Sequence, residues 1–213
     1  MNSLIEPAAR KILTHAFGGE IRLVIVGGAP LNREIEHFLL RIRFPFTVGY
    51  GMTECGPLIS HSAPEEFAAG TCGRIISRTE VRIASSDAAK IPGEILVRGD
   101  HVMAGYFRDK RSTACAIDRE EWLHTGDMGT LEGDVLRVRG RLESRITLPD
   151  GREVYPEEIE SRLNVMDGIM ESLVAMHEGR LVAFVVPDYE QADHLGIGMN
   201  GIREMMDANL AAL

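Results

Sequence analysis

The 213-residue sequence predicts an α/β fold with α+β parts. A β-branched apolar run near the start precedes a helix-like pattern, and short strand-like runs follow from about residue 70. After Arg141 the pattern of predicted secondary structure changes again. We therefore expect the strand-helix-strand end of a mostly parallel sheet in residues 1–70, a small antiparallel β subdomain in residues 71–141, and a small truncated α+β C-terminal domain in residues 142–213.

The first segment begins with residues 21–27, an apolar run that ends in glycine and is typical of a buried strand of a parallel sheet. Asn32 is a good N-cap for the next helix, because its side chain can accept amide hydrogens of the first turn. The apolar residues of this helix recur at helical spacing: Ile35, Phe38, Leu39 and Ile42. Pro45 predicts that the helix has ended, and residues 46–50 are expected to form the next strand.

The middle segment contains short strand-like runs separated by Gly, Pro and Asp turns. The runs are residues 73–76, 79–83, 93–97 and 135–138. They predict a small antiparallel sheet or a distorted barrel, with an irregular helical stretch in residues 110–121.

The last segment begins after a boundary that we place at residues 140–143. Pro156, followed by two acids, is a good helix start, because proline suits the first turn and acids suit the positive end of the helix dipole. A hairpin is expected around residues 178–180. The final helix should carry its apolar side chains on one side: Ile202, Met205, Met206, Leu210 and Leu213.

Composition excludes several classes of protein. The net charge of -9 argues against a nucleic-acid partner, since phosphate backbones require clustered cations. Three scattered cysteines and seven histidines show neither disulfide nor metal-ligand spacing. The longest apolar run, residues 181–186, is too short for a transmembrane segment, and the start of the chain is not typical of a signal peptide. We expect a cytoplasmic protein, with peripheral membrane association as an alternative.

Two glycine-containing strings can handle a nucleotide. Residues 27–30, Gly-Gly-Ala-Pro, leave backbone uncovered at a strand end, where a flat ring such as adenine can lie; the alternative is a plain strand-to-helix turn. In the string Tyr50–Glu54, Tyr50 offers a ring for stacking, Thr53 a hydroxyl for phosphate, and Glu54 a hard oxygen ligand for Mg²⁺. The alternative is a half-buried tyrosine beside a turn glycine and a solvated glutamate.

Two further residues complete this constellation. Asp127, in Thr-Gly-Asp, can accept hydrogen bonds from both hydroxyls of a ribose, or it can simply close a turn. Arg141, after Gly140, has a forked donor group suited to ribose or phosphate oxygens, although a surface ion pair is its common role. The fixed order of the four motifs favours the nucleotide interpretation.

With these motifs, the chain resembles the adenylate-forming (AMP-binding) superfamily of acyl-CoA synthetases and their luciferase and peptide-synthetase relatives. Other matching stretches are Gly93–Gly99, Gly105–Phe107, Glu121–Asp127, Gly140–Arg141 and Gly151–Glu160. The string Gly49–Ser60 resembles long-chain fatty acyl-CoA ligases in particular. The resemblance makes residues 1–141 the distal part of an N-terminal adenylation domain, and the remainder the mobile C-terminal domain.

The resemblance implies a two-step reaction. A carboxylate, expected to be a fatty acid, attacks the α-phosphate of Mg-ATP to give an acyl-adenylate and pyrophosphate, and coenzyme A then displaces AMP. The implied ATP- or AMP-binding residues are Gly28, Ala29, Pro30, Tyr50, Gly51, Met52, Thr53, Asp127 and Arg141. The implied catalytic residues are Thr53, Glu54 and Arg141, with Glu54 as the Mg²⁺ ligand. Glu143 is the implied hinge and Gly151 the implied CoA-binding position.

The chain departs from the family pattern in two places. The family has a Ser/Thr/Gly-rich phosphate loop upstream of Gly27 and a lysine near its C-terminus, whereas here the last lysine is Lys110. We therefore expect a C-terminal fragment that is inactive alone and can oligomerise through an exposed truncation face. The alternatives are a non-catalytic nucleotide- or partner-binding module, or a fragment of a fatty acyl-AMP ligase that uses a carrier protein.

Overall fold

The structure is a computed structural model that describes residues 5–211. The chain divides into two compact units, the first ending at Leu142 and the second beginning at Glu143. Each unit has its own buried apolar cluster. No helix in the described part of the chain is long and apolar enough to cross a membrane.

The first unit opens with a strand-helix-strand layer. Its elements are helix α1 (Ile5–Ala16), strand β1 (Val24–Val26), helix α2 (Arg33–Arg41) and strand β2 (Phe46–Val48). β1 and β2 pair in parallel, which confirms the predicted arrangement, although β1 is shorter than the predicted run. Helix α1 was not predicted.

Helix α2 begins where its sequence indicates and ends at Arg41, a few residues before the predicted stop at Pro45. The Asn32 side chain accepts hydrogen bonds from the backbone N–H groups of Glu34 (2.8 Å) and Ile35 (3.2 Å), so the predicted N-cap is confirmed. Phe44, Phe46 and other apolar side chains are buried beneath the helix in one cluster. Packing of this apolar face, more than helix propensity, stabilises an α-helix of this length.

The predicted strand over residues 46–50 is wrong at its end. β2 stops at Val48, and Tyr50–Gly51 form strand β3 of a different, antiparallel sheet. Gly49 makes the transition, because a Cβ atom there would lie 3.1 Å from Ile25 Cγ2 and 3.3 Å from Leu58 Cδ1. The chain therefore leaves the parallel pair at a position where a side chain would be crowded.

The antiparallel sheet has seven strands in the order β3-β4-β5-β9-β8-β7-β6. The remaining strands are β4 (Leu58–His61), β5 (Arg74–Ile75), β6 (Thr79–Ala84), β7 (Gly93–Gly99), β8 (Leu123–Glu132) and β9 (Val135–Arg141). The four predicted runs correspond to β5, β6, β7 and β9, whereas β4 and β8 were not predicted. The predicted helical stretch is confirmed in part, as helix α3 (Lys110–Ala116), which Asp109 caps through the Ser112 N–H.

The second unit is a small α+β structure. Its elements are β10 (Ile146–Thr147), β11 (Glu153–Val154), α4 (Pro156–Leu163), β12 (Ile169–His177), β13 (Arg180–Pro187), α5 (Tyr189–Leu195) and α6 (Met199–Ala211). The helix start at Pro156 and the hairpin are confirmed. In α6, Ile202 is buried, and Met205 and Met206 are partly buried, as expected. The side chain of Leu210 and all of Leu213 lie outside the described residues.

Candidate functional site

The first unit brings three of the predicted site residues into direct contact. The Tyr50 hydroxyl donates a hydrogen bond of 2.7 Å to Oδ2 of Asp127. The Nε atom of Arg141 lies 3.1 Å from Oδ1 of the same carboxylate, and an Arg141 Nη1 contact of 3.5 Å reaches the Thr125 carbonyl oxygen. Tyr50 and Arg141 thus contact the same carboxylate, that of Asp127, whose side chain is 12% exposed.

Strand register and sheet curvature produce this cluster. Asp127 on β8 and Arg141 on β9 are paired residues, so their side chains are cross-strand neighbours. Tyr50 on β3 is four strands away from β8 in the hydrogen-bonding order, about 19 Å in a flat sheet. The tyrosine side chain cannot span that distance, so the sheet curls until β3 approaches β8. The predicted small sheet or distorted barrel therefore takes the form of a curled sheet.

The backbone around Asp127 is held by its neighbours. Thr125 Oγ1 donates to the Ile95 carbonyl oxygen (2.8 Å) and accepts the Asp127 N–H (3.1 Å). Gly126 has φ 69, a value that glycine adopts without strain, and its N–H lies 3.2 Å from Oε1 of Glu94. Asp127 therefore lies in a strand beside a bulge, not in the turn that the alternative interpretation proposed.

The surroundings of the cluster favour the neutral, protonated form of Tyr50. Burial, and after it the negative charge of Asp127, raises the pKa of the Tyr50 hydroxyl well above its ordinary value. A carboxylate can accept about four hydrogen bonds. Tyr50 itself is only 9% exposed, so neighbouring residues cover most of its ring.

The segment Gly51–Cys55 forms a tight turn between β3 and β4. A Cβ atom on Gly51 would lie 2.1 Å from the Pro57 carbonyl oxygen, so only glycine fits. The Met52 N–H donates to the same oxygen (2.8 Å), and residues 53–55 form one turn of 3-10 helix. This turn leaves Thr53 exposed and Glu54 half-buried, next to the fully buried Cys55. Burial, with the charge of Glu54, raises the pKa of the Cys55 thiol to about 12.

The donor set at Glu54 fits Mg²⁺ bound together with a nucleotide. No group of three or more potential metal-ligating His, Cys, Asp or Glu residues occurs within residues 5–211. Mg²⁺ does not need such a group, because it usually keeps several waters and binds through one or two carboxylates plus substrate phosphates. Glu54, with the exposed hydroxyl of Thr53 beside it, is suited to that mode of binding.

The other predicted site residues fall in two places. Gly28, Ala29 and Pro30 are exposed in the segment after β1. A Cβ atom on the preceding Gly27 would lie 2.9 Å from the Gly49 carbonyl oxygen, so this segment runs beside the chain that leads into Tyr50. Glu143 and Gly151 belong to the second unit, where both are exposed and Gly151 lies between β10 and β11 with φ 85.

Two residues of the site were not predicted. Glu94 holds Gly126 and also lies 2.9 Å from Nδ1 of His124 through Oε2. Tyr106 donates its hydroxyl to Oε1 of Glu54 at 2.9 Å, and that hydrogen bond raises the pKa of Tyr106. Both lie within stretches that match the family, Gly93–Gly99 and Gly105–Phe107, but neither contact is local in sequence.

Comparison with known proteins identifies the family of the chain. A family model for AMP-binding enzymes matches residues 1–107. The chain is 37% identical to 4-coumarate:CoA ligase 1 of Petunia hybrida over 185 residues, which are 78% of this chain and 34% of that protein. It is 35% identical to 4-coumarate--CoA ligase 2 of Solanum tuberosum over 198 residues, 84% of this chain and 36% of that protein. The chain thus spans about a third of the length of the curated relatives it matches.

Among solved structures, the chain resembles the O-succinylbenzoate coenzyme A synthetase of Bacillus subtilis in complex with ATP and a magnesium ion. The TM-score is 0.70 at 26% identity, with 84% of this chain and 40% of that chain covered. The adenylation domain of a carboxylate reductase from Mycobacterium chelonae gives a TM-score of 0.79 at 20% identity, with 100% of this chain and 34% of that chain covered, and shows the shared fold. The chain belongs to the AMP-binding enzyme family.

We expect the Tyr50 hydroxyl to make a pH-dependent contribution to the free energy of unfolding. Its pKa is raised by folding, so the protonated hydroxyl stabilises the native chain below the unfolded value of about 10, and this contribution is lost as the pH rises above that value. Tyr50→Phe should therefore lower the unfolding free energy at about pH 8 by about 1–3 kcal/mol. The deficit should shrink at about pH 10.5. Urea unfolding of both proteins at the two pH values measures this change.

Tyr189→Phe is the matched control, because Tyr189 is 51% exposed, and its unfolding free energy should stay near that of the parent chain. A Tyr50→Phe deficit of equal size at both pH values would contradict the assigned role of the hydroxyl.

Proposed function

We propose that the chain is part of an ATP-dependent acid–CoA ligase and that its first unit forms one wall of the adenylate pocket. The observation that carries this proposal is the shared Asp127 carboxylate, held by Tyr50 and Arg141. A held, partly accessible carboxylate can accept both hydroxyls of a ribose while its own orientation stays fixed.

Each residue has a distinct task in this proposal. Asp127 binds the ribose hydroxyls, and Arg141 contacts ribose or phosphate oxygens while it keeps the carboxylate in place. The Gly28–Pro30 segment and Tyr50 border the adenine. Thr53 donates its exposed hydroxyl to the α-phosphate, and Glu54 binds the Mg²⁺ ion that neutralises the phosphates.

The proposed reaction conserves atoms in two steps. A substrate carboxylate oxygen forms a bond to the α-phosphorus of ATP while the bond to the pyrophosphate leaving group breaks. The thiol of coenzyme A then forms a C–S bond at the acyl carbon, AMP leaves with the former carboxylate oxygen, and the thiol proton passes to solvent. The division of the chain between Leu142 and Glu143 supports Glu143 as the hinge between these steps, with Gly151 along the path of the CoA thiol arm.

The lysines of the family pattern are not among the residues of this chain, which has only Lys11, Lys90 and Lys110. We therefore propose that these 213 residues alone bind nucleotide without efficient turnover.

The carboxylate class is the finer part of the proposal. The string Gly49–Ser60 predicted a fatty acid, yet the relatives above are named for coumarate and O-succinylbenzoate, both of which contain an aromatic ring. We propose an aromatic acid over a long-chain fatty acid, and coenzyme A over a carrier protein as the acceptor.

The substrate proposal predicts a difference between two adenylates. A non-hydrolysable coumaroyl-adenylate should bind the chain about tenfold more tightly than the palmitoyl analogue, a difference of about 1.4 kcal/mol. Isothermal titration calorimetry measures both, with AMP as the reference ligand. Tighter binding of the palmitoyl analogue would contradict the aromatic acid and favour a fatty acid as the substrate.

Loss of the Asp127 carboxylate should weaken nucleotide binding. Hydrogen bonds to a charged group contribute about 1.5–3 kcal/mol, so Asp127→Ala should raise the Kd for AMP at least about tenfold. Calorimetric titration with AMP measures the change. Because Asp127 is buried, the near-isosteric Asp127→Asn tests the same charge with less risk to folding, which circular dichroism monitors.

The control for Asp127 is Asp134→Ala, which removes an exposed carboxylate paired with Arg74. Its Kd for AMP should equal that of the parent chain. Unchanged AMP affinity in a folded Asp127→Asn variant would contradict the proposed function.

A further inference from the structure

A hydrogen bond between Tyr106 and Glu54 joins two stretches of sequence that are 52 residues apart. The Tyr106 hydroxyl donates to Oε1 of Glu54 at 2.9 Å. The proposed function gives Glu54 a task but gives none to Tyr106, which is 39% exposed and does not belong to the buried core. The contact is not an incidental one at the surface, because hydrogen bonds also hold the backbone of both partners.

The main chain of Tyr106 is held from helix α3. Its N–H donates to Oγ1 of Thr113 at 2.9 Å, and that hydroxyl in turn donates to the Asp109 carbonyl oxygen at 2.7 Å. The preceding Gly105 has φ 134, and a Cβ atom there would lie 2.6 Å from Cγ2 of Thr113. The close approach of the chain to Thr113 of α3 therefore leaves no room for a side chain at Gly105, and its positive φ also favours glycine.

The main chain of Glu54 is held from the same segment. The Met103 N–H donates to the Glu54 carbonyl oxygen at 2.7 Å, three residues before Tyr106. The next residue, Cys55, is fully buried and anchors the turn in the apolar cluster of the antiparallel sheet. The backbone is therefore held on both sides of the side-chain contact. The two segments are joined by two hydrogen bonds, one from Tyr106 and one from Met103, both to Glu54.

We propose that Tyr106 is a positioning residue for the cation of the bound nucleotide. Its hydroxyl occupies Oε1 of Glu54 and leaves Oε2 for a divalent cation, so the carboxylate binds the metal through one oxygen in a set orientation. Mg²⁺ demands near-ideal octahedral geometry, and groups that orient a ligand carboxylate strengthen metal binding. This inference rests on the proposed function, since it takes Glu54 as the metal ligand.

Fluorine NMR on the 213-residue chain tests the arrangement without any need for activity. The chain contains four tyrosines, so 3-fluorotyrosine gives a spectrum that single Tyr→Phe variants can assign. Substoichiometric Mn²⁺, added alone, should broaden the Tyr106 resonance, because the hydroxyl contacts the proposed ligand Glu54. Glu54→Gln should abolish this broadening. Equal broadening of the Tyr106 resonance in the parent chain and in Glu54→Gln would overturn the proposal.

Nucleotide binding by Tyr106→Phe separates positioning from a structural role. The Kd for Mg-ATP should rise about tenfold, in line with the effect of losing a group that orients a metal ligand. The Kd for AMP, measured without metal, should not change. Tyr189→Phe deletes a hydroxyl elsewhere and should leave both values unchanged. Equal weakening of AMP and Mg-ATP by Tyr106→Phe would mean that the residue only supports the fold, and the proposal would fail.

The two experiments distinguish this inference from the proposed function. If AMP binds but Mn²⁺ causes no Glu54-dependent broadening of the Tyr106 resonance, the positioning role fails and the nucleotide site stands. If Mn²⁺ causes this broadening but AMP does not bind, the cation site stands and the nucleotide function fails.

Discussion

The carboxylate of Asp127 is buried within the first unit, and a buried negative charge is costly unless hydrogen bonds and an opposite charge compensate it. Here the compensation comes from two directions, the Tyr50 hydroxyl at 2.7 Å and the Arg141 Nε at 3.1 Å. These groups lie on different strands, so the sheet must curl for both to reach one carboxylate. The fold of the first unit and the geometry of its candidate site therefore depend on the same interaction.

Close packing of backbone sets the rest of the site. Gly49 lets the chain pass from the parallel pair into the antiparallel sheet, and Gly51 admits the Pro57 carbonyl oxygen at a distance that excludes a side chain. The turn that follows presents Thr53 and Glu54, while Cys55 anchors it in the core. The Thr53 and Glu54 side chains, which we propose to handle a nucleotide, thus extend from a junction between two sheets, and a backbone held in this way favours pre-organised binding.

Sequence patterns predicted the local parts of this structure. Residues 21–48 have clear apolar periodicity and an N-cap at Asn32, so their strand-helix-strand order could be predicted. Strand β8 could not, because its Thr125-Gly126 step is typical of a turn and becomes a strand only through pairing with β7 and β9. The contacts that Tyr50 and Tyr106 make are long-range, with partners 77 and 52 positions apart in the sequence, and no local pattern specifies them. Motif order indicated that residues 50, 127 and 141 belong together, but it did not indicate that the tyrosine acts through its hydroxyl.

We propose that the Asp127 cluster binds the ribose of an adenine nucleotide. An amide ¹H–¹⁵N NMR titration of the chain with AMP tests it most directly, because each backbone N–H reports on its own surroundings. We expect the largest shifts at Gly51, Gly126 and Asp127 and only small shifts in helix α6. Saturable binding of AMP that leaves these three amides unshifted would mean that the ribose binds elsewhere.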